Sequence, residues 1–143
     1  AYHRSTLKRT VKHPKGYLRD TGLLHKLLRL PDLDSLLAHP RAGLSWEGMV
    51  IEEILRQFHA LGVAVDASFY RTAAGAEVDL ICEGRFGVIP FEVKRGQRVD
   101  LRNLRGLRDF VVEQGLPVGV VINNAPAPRR YDERIVGVPF TAL

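Results

Sequence analysis

The spacing of apolar residues changes at Val63, and this change constrains the fold more than any other feature of the sequence. Before Val63, apolar residues recur every three or four positions, which is typical of amphipathic helices. After it, apolar and polar residues alternate in three successive stretches, at 63–71, 76–82 and 87–94, as in half-buried strands. Because only short turns separate these stretches, we predict an antiparallel meander of three strands.

Helices are predicted on both sides of the meander, at 21–30, 33–38, 46–60 and 101–114. Asp20 or Thr21 is placed to cap the first helix, Ser45 the third and Asp100 the fourth, since their side chains can accept a hydrogen bond from a free backbone N–H. Two more strands follow, at 118–122 and near 135–140. This order of elements predicts an α/β domain with a mixed sheet core, preceded by a short N-terminal helical extension.

Length and composition favour one domain. With 143 residues, 45% of them hydrophobic, the chain can close one core. A mean hydropathy of −0.07 argues against disorder, and no apolar run approaches the ~20 residues needed to span a bilayer. The basic stretch at 1–15 lacks the apolar region of a signal peptide, so we predict a linker from a preceding domain there and a single domain over 16–143.

The single cysteine, Cys82, excludes an intramolecular disulfide and a zinc cluster made of cysteines. Cys82 falls on the apolar side of its predicted strand, where core packing is expected. Such sparing use of cysteine predicts a location in the reducing cytoplasm.

Acidic residues are predicted to crowd one face of the meander. Strand alternation places four charged side chains on that face: Glu77, Asp79, Glu92 and Lys94. Like charges so close are unfavourable unless a cation lies between them, and a divalent metal ion is one candidate. Salt bridges from Lys94 and Arg71 on a solvated face are the alternative.

The turn between the second and third strands sets the predicted register. A two-residue turn at Gly84-Arg85, with glycine first, places Glu77 opposite Glu92. The same register places Asp79 opposite Pro90. Because proline cannot donate a ladder hydrogen bond, we predict a bulge or a sheet edge at Pro90.

Glu47 is predicted near the centre of the apolar side of the helix at 46–60, whereas Glu52, Arg56 and His59 point away. An ionised carboxylate in that position requires a partner. Either Glu47 belongs to the acidic cluster, or it lies half-exposed in the first helical turn, where the helix dipole favours a negative charge.

The ligand types in this cluster indicate a class of chemistry. Carboxylates without histidine or cysteine suit Mg²⁺ or Mn²⁺, which also accept a phosphate oxygen. Such an ion polarises a phosphoryl group and activates a bound water, while Lys94 holds the attacking hydroxide or offsets charge in the transition state. This chemistry is phosphodiester hydrolysis.

The chain is basic, with 21 Lys+Arg against 16 Asp+Glu and a pI near 9.7. A run of arginines leads out of the Lys94 strand into the next helix: Arg95, Arg98, Arg102, Arg105 and Arg108. These arginines are either a rim that contacts nucleic-acid phosphates, extended by Arg129 and Arg130, or a solvated helix face.

Five segments together carry a family resemblance: GYLRDTGL at 16–23, WEGMVIEEI at 46–54, FYR at 69–71, GAEVDLI at 75–81 and FEVK at 91–94. With the order of elements, they resemble the PD-(D/E)XK nuclease superfamily, whose fold is that of restriction endonucleases. More closely, they look like the domain that follows the ATPase module in many prokaryotic AAA+-type ATPases. Val78 stands where the superfamily proline would precede the aspartate.

The resemblance implies roles for individual residues. It makes Asp79 and Glu92 metal ligands together with the backbone carbonyl of Val93, Lys94 the catalytic lysine, and Glu47 a support for the ion. Glu77 and Arg71 match positions typical of the closer group. We take Glu77 as a secondary candidate for the site and Arg71 as a further candidate contact of the basic rim with nucleic acid. The resemblance also implies DNA as substrate, Mg²⁺ or Mn²⁺ as cofactor and an N-terminal ATPase module in the parent chain.

Two functions follow from these observations. One is metal-dependent hydrolysis of DNA. The other is a catalytically inactive module that keeps the nuclease fold for binding DNA or protein and regulates the ATPase, since a fold does not fix a function. RNA as substrate stays open, because nothing in the sequence indicates recognition of a 2′-hydroxyl.

Overall fold

The computed structural model describes residues 15–143, so the predicted linker lies outside the described residues except for Lys15. The α-helices are α1 (Thr21–Leu27), α2 (Leu33–Ala38), α3 (Ala42–Ala60) and α4 (Arg105–Glu113). The strands are β1 (Asp66–Arg71), β2 (Glu77–Gly84), β3 (Gly87–Val93), β4 (Gly119–Asn123), β5 (Arg129–Arg130) and β6 (Ile135–Pro139). Short 3₁₀ helices span Leu101–Leu104 and Phe140–Ala142. Within this described range, no helix has the length and apolar character needed to cross a membrane.

The strands form one mixed sheet in the order β1-β2-β3-β4-β6-β5. The first three strands pair antiparallel in sequence, which confirms the predicted meander. The sheet then continues with parallel pairs, β3 with β4 and β4 with β6, and the short β5 is antiparallel to β6. The predicted α/β fold with a mixed sheet is confirmed.

The sheet separates two apolar layers. On one side, α3 packs through Val50 and Ile54 against side chains of the central strands: Leu80, Cys82, Phe91, Val93 and Ile122. On the other side, α4 packs through Leu107 and Phe110 against a second set: Tyr70, Val78, Ile81, Val121 and Ile135. The adjacent residues Val121 and Ile122 fall in different layers, as strand alternation requires. Cys82 is fully buried, as predicted, and burial raises the pKa of its thiol to about 12.

The third helix begins earlier than predicted, and Ser45 is not its N-cap. The helix begins at Ala42, with Arg41 before it and no side-chain cap. Ser45 is buried one turn into the helix, where its hydroxyl lies 2.6 Å from Nε2 of His25 in α1. The Ser45 hydroxyl therefore forms a hydrogen bond between α1 and α3 instead of capping α3. The local spacing of residues does not indicate such a contact.

The predicted helix at 101–114 is a 3₁₀ turn followed by α4. Asp100 caps it as expected, because its carboxylate accepts a hydrogen bond from the N–H of Arg102 at 2.8 Å. Within the 3₁₀ turn, Leu104 is fully buried, whereas Leu101 is 40% exposed.

The register of the hairpin differs from the predicted one by two residues. Gly84 pairs with Gly87, so the turn residues are Arg85 and Phe86. Gly87 has φ +96°, a left-handed conformation that favours glycine directly after the turn. The predicted pairs, Glu77 with Glu92 and Asp79 with Pro90, are therefore wrong, because Leu80 pairs with Phe91 and Ile81 with Pro90. Because the shift is even, it does not by itself move any side chain to the other face. Val78 nevertheless lies in the same layer as Ile81 and not with Leu80, because the alternation along β2 is interrupted between them.

A bulge does occur beside the cluster, but in β2 rather than at Pro90. Pro90 pairs in register on an interior strand, and the ladder to β4 begins only at the next residue, so no donor is required there. Between β1 and β2, Ser68 pairs with Ile81 but Tyr70 with Val78. Two residues of β2, Asp79 and Leu80, therefore lie opposite Phe69, and this extra residue re-aims the Asp79 side chain.

Candidate active site

A cleft of about 740 Å³ opens where α3, the 3₁₀–α4 segment and the central strands meet. Four carboxylates line it: Glu47, Glu77, Asp79 and Glu92. Five cationic side chains line it as well: Lys15, Arg71, Lys94, Arg102 and Arg105. The structure thus brings the predicted acidic residues together in one cleft, with bases around them.

Asp79 is held by the strand beside it. The side chain comes from the bulge in β2, the residue is 8% exposed, and Oδ2 accepts a hydrogen bond from the N–H of Val93 at 2.8 Å. Burial and the charge of Glu47 raise the pKa of Asp79, and the Val93 N–H opposes this rise. Val93 therefore contacts the cluster through its backbone N–H, and it also lines the cleft.

Glu92 is the most buried carboxylate of the cluster, at 6% exposed. Its Oε1 lies 2.6 Å from Nζ of Lys94. Its Oε2 is fully buried and has no hydrogen-bond partner among residues 15–143. Burial and the charge of Asp79 raise the pKa of Glu92 to about 8. Such an oxygen requires either a proton or a further cation.

Lys94 reaches the cleft from the end of β3. Burial lowers the pKa of its ammonium group, but the charges of Glu92 and Asp79 outweigh this effect, and the net shift is upward. Lys94 is therefore a cation at neutral pH, placed against the buried carboxylates.

Glu47 points into the cleft from the second turn of α3. Its Oε1 accepts a hydrogen bond from the Tyr17 hydroxyl and lies 3.0 Å from Nζ of Lys15. Because α3 begins at Ala42, Glu47 is not in the first helical turn, and the helix-dipole interpretation loses its basis. The structure supports the alternative that Glu47 belongs to the acidic cluster.

Lys15 was placed in the linker by the sequence analysis, yet it lies at the centre of the cluster. Its Nζ pairs with Oε1 of Glu77, lies 3.0 Å from Oε1 of Glu47 and 3.5 Å from Oδ1 of Asp79, and faces the Phe69 ring at 5.8 Å. Burial lowers the pKa of Lys15, but the carboxylates around it raise the pKa by a larger amount, so the net shift is upward. The sequence indicates such a partner in one way only: a buried cluster of carboxylates requires positive charge nearby.

Arg19 and Glu52 form a second contact that the sequence analysis missed. Glu52 was expected to point away from the core side but is buried. Nε of Arg19 lies 3.1 Å from Oε1 and 3.0 Å from Oε2 of Glu52, and Nη2 of Arg19 lies 2.8 Å from Oε1 of Glu52. This bidentate pair lowers the pKa of Glu52 and ties the segment before α1 to the middle of α3.

The predicted basic rim is only partly at the cleft. Arg71, Arg102 and Arg105 line it, and Nε of Arg71 lies 3.6 Å from Oε2 of Glu77. The other arginines of the predicted rim do not line it: Arg95, Arg98, Arg108, Arg129 and Arg130. Arg108 instead pairs with Asp132 at 2.7 Å. Arg129 and Arg130 form β5 at the opposite edge of the sheet, so they do not extend this rim.

The donors in the cleft fit a hard divalent ion in type. All are oxygens, and the buried Oε2 of Glu92 is free to accept a further cation. As the side chains stand, however, residues 15–143 contain no group of three or more His, Cys, Asp or Glu arranged to hold a metal ion. The carboxylates are arranged around lysine ammonium groups instead.

The burial of Glu92 predicts that stability falls as pH rises. Between its ordinary pKa of 4.5 and about 8, the folded protein binds more protons than the unfolded chain, so the free energy of unfolding decreases across this window. We expect Glu92→Gln to reduce this pH dependence by up to about 5 kcal/mol. Urea unfolding of the metal-free protein at pH values across the window measures it.

Glu53→Gln is the matched control, because Glu53 lies on the more exposed side of α3, where it accepts a hydrogen bond from Gln57 at 2.9 Å. This variant should keep the pH dependence of the unmodified chain. An equal pH dependence in Glu92→Gln and the unmodified chain would contradict the assignment.

Comparisons with known proteins identify a family and two relatives. Residues 42–143 match the family model described as Domain of unknown function (DUF4143). An uncharacterized protein of Mycobacterium bovis and one of Mycobacterium tuberculosis are each 34% identical over 134 residues. The match covers 92% of this chain but 29% of each relative, so the chain spans less than a third of the curated relatives it matches. No solved structure matches the chain.

Proposed function

The chain belongs to the DUF4143 family, and from the geometry of its cleft we propose that it is a metal-dependent deoxyribonuclease domain of the PD-(D/E)XK type. One observation carries the proposal: two buried carboxylates on neighbouring strands, Asp79 and Glu92, with Lys94 beside them and one glutamate oxygen left without a partner. Burying such groups is costly for the fold, and perturbed carboxylates in a cleft are typical of functional sites.

The residues have distinct roles in this proposal. Asp79, Glu92, the Val93 carbonyl and Glu47 hold a Mg²⁺ or Mn²⁺ ion, which supplies polarisation of the phosphoryl group and a water of lowered pKa. Lys94 orients the attacking water and offsets the negative charge that develops in the transition state. Burial keeps this ammonium group close to the reacting atoms.

The arginines around the cleft fit a polyanionic substrate. Arg71, Arg102 and Arg105 surround the acidic cluster on the side open to solvent. Guanidinium groups bind phosphate in a bidentate manner, so they can hold the phosphates that flank the cleaved bond. Arg95 and Arg98, which are exposed outside the cleft, are proposed as further contacts along the backbone.

A second candidate function is supported by the ion pairs. Glu92 pairs with Lys94, Glu77 with Arg71, and Lys15 contacts three carboxylates, so the cluster is largely neutralised without a metal. The alternative is therefore an inactive module that binds DNA or protein and regulates an ATPase. An ATPase module in the parent chain, which the family resemblance implies, is part of both proposals, and each relative extends well beyond the matched part.

Metal binding and cleavage, measured on the same preparations, test the proposal. We expect saturable Mn²⁺ binding and cleavage of plasmid or labelled duplex DNA that EDTA abolishes. Asp79→Asn keeps the side-chain shape but removes the charge of a proposed ligand. Loss of a residue that only supports a ligand typically weakens metal binding by at least about tenfold, so we expect Asp79→Asn to weaken Mn²⁺ binding by more than that.

Asp34→Asn, an exposed change in α2, is the control and should bind and cleave as the unmodified chain does. Absence of both metal binding and cleavage in the unmodified chain would favour the inactive module. DNA binding alone does not decide, because a basic surface binds polyanions in either case.

A further inference from the structure

We infer that Lys15 is a tethered cation that occupies the place of the divalent ion and must leave the cleft before the ion binds. This inference rests on the proposed metal-dependent function. The Lys15 ammonium group contacts carboxylates from two elements, Glu47 on α3 and both Glu77 and Asp79 on β2. Its side chain is only 18% exposed, so it lies within the cluster rather than at its rim.

Lys15 and a metal ion compete for the same atoms. Oε1 of Glu47 and Oδ1 of Asp79, which face the ammonium group at 3.0 and 3.5 Å, are the oxygens that would bind the ion. An ion bound by these two oxygens would lie close to the ammonium group, and two cations so close together in a half-buried cleft repel each other strongly. The ion and Lys15 would therefore compete for the same place.

Departure of Lys15 would leave three carboxylates without a cation that they share. Glu47, Glu77 and Asp79 all contact its ammonium group. A divalent ion in the same place would replace the lost positive charge and add one more. The buried Oε2 of Glu92, which has no hydrogen-bond partner among residues 15–143, would be a further ligand.

The backbone around Lys15 permits the movement. Tyr17 and Arg19 anchor the following residues to α3 through Glu47 and Glu52. Gly16 lies between Lys15 and these anchors, and a side chain added there would meet no atom within 4 Å. Lys15 can thus rotate out about Gly16, which has the widest backbone freedom, while the anchors stay in place.

Mn²⁺ titration of the 143-residue chain without DNA tests the inference. Lys15→Met keeps most of the apolar stem but removes the charge, and we expect it to bind Mn²⁺ about 5- to 150-fold more tightly, the usual range of coupling between two binding events. Lys26→Met, at an exposed lysine of α1, is the matched control and should bind as the unmodified chain does. Lys15→Arg keeps the charge and should keep the weaker affinity.

Equal or weaker Mn²⁺ binding by Lys15→Met would overturn the inference and leave the proposed nuclease function standing. Absence of saturable Mn²⁺ binding in both the unmodified chain and Lys15→Met would instead overturn the proposed function, and the inference with it. The two failures are therefore distinguishable.

A second measurement on the unmodified chain does not depend on the folding of a variant. Amine-reactive labelling followed by mass spectrometry reports the exposure of each lysine. We expect saturating Mn²⁺ to increase the labelling rate of Lys15 severalfold, with Lys26 in the same spectrum unchanged. A Lys15 rate that does not increase when the metal saturates would overturn the inference.

Discussion

Lys94→Ala is expected to lower the rate of DNA cleavage by about 10²–10⁴-fold, the usual contribution of a positioned proton-transfer or charge-stabilising group. The lysine Nζ lies 2.6 Å from Glu92 and is half-buried, so the substitution removes a cation from the place where negative charge develops. Single-turnover cleavage with saturating Mn²⁺ measures the effect. Lys26→Ala, at an exposed lysine, should cleave at the unmodified rate.

The loss of Lys94 also leaves the buried Glu92 without its cationic partner, which costs stability. The melting temperature is therefore measured in parallel, and Lys94→Gln serves as a second variant that still donates a hydrogen bond to Glu92. A folded Lys94 variant that cleaves within about threefold of the unmodified rate would contradict a catalytic role for this lysine, because such a difference is below 1 kcal/mol in the activation free energy.

Phe110→Ala is expected to reduce the free energy of unfolding by about 3–5 kcal/mol, the typical cost of truncating a buried aromatic side chain. The Phe110 ring is fully buried between α4 and the sheet, and its centroid lies 4.9 Å from that of Tyr70 on β1. Because domains of this size are stable by only about 5–15 kcal/mol, the loss is a large share of the total. Urea unfolding at fixed pH measures it.

Val112→Ala on the same helix is the control, because Val112 is 67% exposed and truncating it removes little buried surface. We expect a change within about 0.5 kcal/mol. Similar losses for the two variants would show that α4 does not form the core layer described.

The fold and the composition of the cluster could be predicted because both depend on local periodicity. Apolar alternation located β2 and β3, and it placed Asp79 and Glu92 on the polar face although the predicted register was wrong. A register error of two residues leaves every side chain on its face, whereas an error of one would have reversed them. The wrong turn therefore does not change the prediction that Asp79 and Glu92 lie on one face.

The partners of the cluster could not be predicted, because they come from elements distant in sequence. Lys15 precedes Asp79 by more than sixty positions, and no periodicity connects the two. The helical period that correctly predicts the buried Val50 also predicts that Glu52 faces solvent. Glu52 is buried instead, and its charge is paired with Arg19 from the segment before α1. Ion pairs between elements depend on tertiary packing, which a single sequence does not encode in its spacing.

The position of the Asp79 carboxylate depends on the bulge in β2. Val78 and Ile81 face the same core layer only because the strand has one residue more than its neighbour between them. Deletion of Leu80 would restore a regular ladder and turn the Asp79 carboxylate towards the α3 layer. Under the proposed function, a change of one residue in the length of β2 would therefore move a metal ligand out of the site while its neighbours in sequence stay the same.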